Sequence, residues 1–144
     1  MIKIKNKLLA LSIFATFTVF FVYVNIYPCF KWRSVSNDIL ENHPIGILTI
    51  DGSKNENVYS DVPPDSVYEL VQIVNNSEDF YSEHEIFNPF GLVKVEELNF
   101  EIKKGENGML LGVYNRSSPL VYLKRVRVPN DKIYKWVDGL NRIK

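Results

Sequence analysis

Residues 8–27, LLALSIFATFTVFFVYVNIY, carry no charge, and no other stretch constrains the fold as strongly. Twenty residues at 1.5 Å per residue make about 30 Å of helix, the thickness of a bilayer core. A helix buried in a soluble domain keeps one polar stripe, and this run has none. Its mild exceptions are Ser12, Thr16, Thr18 and Asn25. Hydroxyls of this kind bond back to helical carbonyls and are tolerated in lipid. Tyr23, Tyr27 and Trp32 stand at the far end, where amphipathic rings favour the headgroup layer. Pro28 is the expected end of the helix.

A cleaved signal peptide has a shorter apolar core followed by a small-x-small site. Here the following residues, VNIYPCFKWR, are mostly bulky. The expectation is an uncleaved signal anchor. Lys3, Lys5 and Lys7 precede it, and Lys31 and Arg33 follow it. With the amino terminus, the positive-inside rule favours a cytoplasmic N-terminus. The organisation read from the sequence is therefore a cytoplasmic head at 1–7 and a transmembrane anchor at 8–27. A juxtamembrane linker at 28–44 and an extracytoplasmic domain at 45–144 complete it. The Lys/Asn/Ile-rich composition points to a bacterial plasma membrane.

About 110 residues remain beyond the anchor, enough for one domain with its own core. From residue 34 onward 17 acids face 12 bases. Residues 51–106 hold 13 acids and 4 bases, and residues 107–144 hold 8 bases and 2 acids. The two halves either neutralise one another on packing or present an acidic face to a basic partner. A net acidic domain without an arginine-rich aromatic patch is no nucleic-acid binder.

In the linker, 34–44 reads as loop with one helical turn, and His43 before Pro44 reads as a turn residue. IGILTI (45–50), closed by Asp51-Gly52, reads as a strand, and a short strand follows at 58–60. Val67, Leu70, Val71 and Val74 fall at i, i+3, i+4 and i+7, which predicts a helix over 65–75. Pro63-Pro64 opens it, and Ser66 with Glu69 has capping-box spacing. Residues 76–91 read as an irregular acidic loop over Phe80, Tyr81, Phe87 and Phe90. LVKVEELNFEIKK changes phase at Glu96-Glu97, which predicts one strand with a bulge there. Gly105–Gly108 turns the chain, Asn107-Gly108 being the hairpin dipeptide. MLLGVYN and LVYLKRVRV follow as strands. Ile133, Trp136, Val137 and Leu140 mark a last helix. The class is α+β: an anchor helix, then an antiparallel sheet of a three-strand meander plus one strand, with two helices on one face.

Catalytic signatures are weak. Glu78, Asp79, Glu83, His84 and Glu85 cluster, but no HExxH, EF-hand or GxSxG spacing is present. Cys29 is the single cysteine, so no internal disulfide forms. The expectation is a non-enzymatic protein-binding domain with no cofactor and no metal. Its partner is the bilayer through 8–27 and a second protein of basic character, met by Glu83, His84, Glu85, Glu96 and Glu97. An immunity-type inhibitor of a toxin and an accessory subunit of a membrane complex are two concrete forms. The alternative is an envelope hydrolase working through the loop around His84.

Overall fold

The computed structural model describes residues 2–50, 58–81 and 84–142. The chain begins with helix α1 (Ile2–Phe21), a π-helical turn (Val22–Ile26) and helix α2 (Tyr27–Asn42). The three are continuous. Residues 4–42 form the one described helix long and apolar enough to cross a membrane, and its apolar window is wholly exposed in the folded chain. This helix is compatible with a membrane anchor. Three of its polar side chains bond back into the helix. Thr16 and Thr18 donate to the carbonyls of Ser12 and Phe14 at 2.9 Å, and Asn25 donates to that of Phe21 at 3.1 Å.

Pro28 does not end the helix, as the sequence suggested. A proline inside a helix has no N–H to give and crowds the carbonyl four residues back. The widened turn before it removes the conflict: Tyr27 N–H reaches back five residues to Val22 O. Pro28 then opens α2 in the first turn, where its missing N–H costs little. Nor are residues 34–42 a loop. They complete α2, whose buried face carries Trp32, Ser36 and Ile39. His43 ends it in the left-handed conformation (φ 48°), its N–H on Ile39 O at 3.2 Å, and Pro44 prevents continuation.

Seven antiparallel strands form one sheet: β1 (Gly46–Ile50), β2 (Val58–Val62), β3 (Glu78–Asp79), β4 (Asn88–Val95), β5 (Leu98–Gly105), β6 (Gly108–Asn115) and β7 (Tyr122–Val128). Their order is β2-β1-β4-β5-β6-β7-β3. The expected α+β class holds, with more strands than anticipated. The single bulged strand over 92–104 is in fact two, β4 and β5, joined by a two-residue turn at Glu96-Glu97. Val95 pairs with Leu98, and Glu96 takes φ 50° to close the turn. The register shift lies elsewhere, between Pro89 and Gly91. The next turn centres on Glu106-Asn107, with Gly105 paired to Gly108.

Helix α3 (Pro64–Asn75) starts on Pro63 and Pro64 without a side-chain cap, so Ser66 and Glu69 form no capping box. Helix α4 (Asn130–Arg142) closes the described chain. Both predicted stripes are buried: Val67, Leu70, Val71 and Val74 of α3, and Ile133, Trp136, Val137 and Leu140 of α4. They pack with Trp32 and Ile39 of α2 onto Leu48, Val93, Val95, Phe100, Ile102, Leu111, Val113 and Val126. Each such side chain contributes about 1.5–3 kcal/mol by leaving water. Three helical segments therefore share one sheet face.

The helix also fixes how the sheet stands relative to the apolar span. Val24, Asn25, Pro28 and Cys29 face the start of β7 across a cleft, and α2 contacts that strand. Trp32 meets Phe100 of β5 edge to face. Asn42 is joined to β1 by three residues, so α2 crosses the sheet from its β7 side to its β1 side. Four strand spacings are about 19 Å and sixteen helical residues about 24 Å, so the two lengths match. The β7–β3 edge is nearest the span, and β2 is farthest.

Candidate functional site

The sheet face opposite the helices is the most distinctive surface. Directly paired residues of antiparallel strands share a face. Ile47, Lys94, Asn99, Tyr114 and Tyr122 thus form one row across five strands. Thr49, Leu92, Glu101, Gly112 and Arg125 form the next. Among the described residues no helix covers either row. Ile47 is 48% exposed, a β-branched side chain held out in water by strand geometry.

The rows are tied by polar contacts. Tyr122 Oη donates to Glu101 Oε2 at 2.7 Å, and Lys103 Nζ lies 3.2 Å from the same oxygen. Asn99 Nδ2 donates to Tyr114 Oη at 3.2 Å, while Asn99 Oδ1 is buried without a partner. The rings of Tyr114 and Tyr122 meet edge to face at 5.7 Å. Gly112 permits this arrangement, since a Cβ there would stand 2.5 Å from the Tyr122 ring. Burial, with the hydrogen bond to Glu101, pushes the Tyr122 phenol up to about 12. Beside this network a cleft of about 240 Å³ opens between Thr49, Leu92, Glu101 and Tyr114.

No protein-family model, curated protein or solved structure matches the chain.

The acidic residues expected to act together are divided between two ends of the strands. Glu96 and Glu97 form the β4–β5 turn. Arg116 N–H donates to Glu97 O at 2.9 Å, which ties that turn to the β6–β7 loop. Glu85 lies at the opposite end, beside Gly105, where it pairs with Arg127 and accepts from Asn107 N–H at 3.4 Å. The eight residues of β5 separate the two groups by about 25 Å. His84 is exposed next to Glu85, and Glu83 lies outside the described residues. Glu78 and Asp79 make up β3, where Asp79 pairs with Lys124. Among the described residues no three metal-ligating side chains converge.

The aromatics expected beneath this loop also divide. Phe80 is buried and meets Phe87 edge to face at 5.4 Å, with Arg125 and Arg127 over its ring. Tyr81 is instead 81% exposed. The row from Ile47 to Tyr122 was missed from sequence, although alternation in GILTI and GLVKV signals outward positions at Ile47, Thr49, Leu92 and Lys94. Which face lacks helices depends on the route of α2.

Proposed function

We propose that the chain is a membrane-anchored, non-enzymatic protein-binding domain. Residues 1–7 lie in the cytoplasm of a bacterium, 8–27 cross the plasma membrane, and 45–144 work outside the cytoplasm. The observation that carries this reading is the helix-free sheet face, with Ile47, Leu92 and Tyr114 at its centre and the Glu96-Glu97 turn at its margin. Exposed aromatic and aliphatic groups interleaved with Lys94 and Glu101 offer a partner both apolar contact and polar specificity. Glu96 and Glu97 supply the acidic rim that would attract a basic partner. Glu85 is occupied by Arg127 and contributes structure instead.

The test is partner capture from intact cells, with the full chain cross-linked and then solubilised. A single stoichiometric partner recovered with the wild type and lost with Ile47→Lys supports the reading. Its identity separates an immunity-type inhibitor from an accessory subunit. A partner retained equally by Ile47→Lys and by Glu96→Lys/Glu97→Lys places the interface elsewhere.

A further inference from the structure

A second cleft, of about 650 Å³, lies where the anchor helix meets the domain. One wall is Val24, Asn25, Pro28 and Cys29; the other runs from Leu120 to Arg125, with Asp79 and Tyr81 beside it. Val24 and Asn25 belong to the uncharged run of 8–27. In a bilayer, groups level with Val24–Cys29 stand where hydrocarbon gives way to headgroups. That helical stretch covers about 7.5 Å, close to the depth of one interfacial layer. At this level Leu120 is 95% exposed and Tyr81 is 81% exposed. A lone exposed leucine needs no explanation, but two large side chains beside an apolar span do.

The charged groups of the cleft lie on its β7–β3 wall. Lys124 and Asp79 form an ion pair whose side chains remain 26% and 40% exposed. The Arg125 guanidinium lies over the rings of Tyr122 and Phe80, 5.3 and 5.9 Å from their centroids. The cleft therefore joins an uncharged wall to one bearing adjacent charges of both signs, the pattern of an amphiphile.

We propose that this cleft binds a glycerophospholipid whose headgroup carries both a phosphate and a primary amine, an inference that rests on the membrane-anchor reading above. The acyl chain runs along Val24 and Leu120. The phosphate faces Lys124 and Arg125, and the ammonium faces Asp79. A phosphate that draws Lys124 away from Asp79 leaves that carboxylate for the ammonium, a partner that a purely anionic headgroup lacks. Leu120 and Tyr81 enter the interfacial layer, so the domain rests on the membrane along its β7–β3 edge.

The full chain, in a Cys29→Ser background, is reconstituted in vesicles of equal parts phosphatidylcholine, phosphatidylethanolamine and phosphatidylglycerol. An environment-sensitive fluorophore is attached at Leu120→Cys, at Ile13→Cys in the span, or at Asp61→Cys on the distant β2. Lipids spin-labelled near the headgroup are expected to quench position 120 at least about threefold more than position 61. Equal quenching at 120 and 61, with position 13 quenched by acyl-chain labels, overturns the proposal and leaves the anchor intact. Position 13 unquenched as well overturns the anchor itself. Native mass spectrometry after release in mild detergent is expected to find one phosphatidylethanolamine per chain, with a several-fold loss in Lys124→Glu. Equal retention of the three lipids, or preference for phosphatidylglycerol, overturns the headgroup assignment.

Discussion

The indole N–H of Trp32 donates to Oδ1 of Asn75 at 2.9 Å, joining the long N-terminal helix to the last residue of α3 across 43 positions of sequence. The same ring meets Phe100 edge to face at 6.2 Å. The helix that carries the apolar span is thus also part of the core. Trp32→Ala is expected to cost about 3–5 kcal/mol, the range for emptying a buried aromatic site. Urea unfolding of the full chain in detergent measures it. A fragment starting at residue 45 lacks Trp32 and Ile39 and should not unfold cooperatively, whereas one starting at residue 27 should.

Glu96 occupies a left-handed backbone conformation that disfavours a side chain by about 1–2 kcal/mol. Glycine there relieves the strain and loses part of the gain to chain entropy. Glu96→Gly should therefore stabilise the domain by about 0.5–1 kcal/mol. For a domain of this size that raises Tm by a few degrees in a thermal melt followed by circular dichroism.

Tyr122 provides a pH signature. Its phenol is pushed up to about 12 in the folded chain from the ordinary tyrosine value of 10.0. The raised value means that the folded state holds its proton more tightly than the unfolded state. The associated stability is complete below pH 10 and disappears as pH rises through about 12. Absorbance titration at an ultraviolet wavelength specific for tyrosinate should show a late step that Tyr122→Phe abolishes.

Gly112→Ala tests the packing behind that step. The new methyl would displace the Tyr122 ring and lengthen its 2.7 Å bond to Glu101. A loss of about 1–3 kcal/mol is expected, the usual cost of overpacking. The Tyr122 ionisation should shift back toward the range of exposed tyrosines. A destabilised variant whose Tyr122 still titrates late would show that the ring had not moved.

Charge reversals at the two ends of the strands should separate into different readouts. Glu85→Lys opposes Arg127 and should lower stability by about 1–3 kcal/mol while partner capture by the folded protein persists. Glu96→Lys/Glu97→Lys, on an exposed turn, should leave stability within about 0.5 kcal/mol and reduce capture. Unfolding curves and cross-linking yields from the same preparations check both.

Much of this fold was legible in local periodicity. The stripes at 67, 70, 71, 74 and at 133, 136, 137, 140 are buried because a 3.6-residue period leaves one face to bury. The β4–β5 hairpin was not legible, for a geometric reason. A two-residue loop puts Val95 and Leu98 opposite each other on one face. A one-residue slip in a single strand gives the same pattern, and Glu-Glu is no turn signal to separate the two. Pro28 misled because the widened turn before it is a backbone solution without a compositional mark. The spacing of Trp32, Val35, Ser36 and Ile39 did hold a helical period, obscured by the polar residues between them. The helix-free face was only half readable, since alternation separates the two sides of a strand without saying which side stays bare.

The unbroken passage from span to core has a mechanical consequence. With no flexible joint between them, the apolar span and the sheet form one lever. A rotation of the span about its axis becomes an equal rotation of the bare face around that axis. One residue added between Phe21 and Tyr27 would advance that azimuth by about 100°, turning the same surface toward a different neighbour without changing any of its residues.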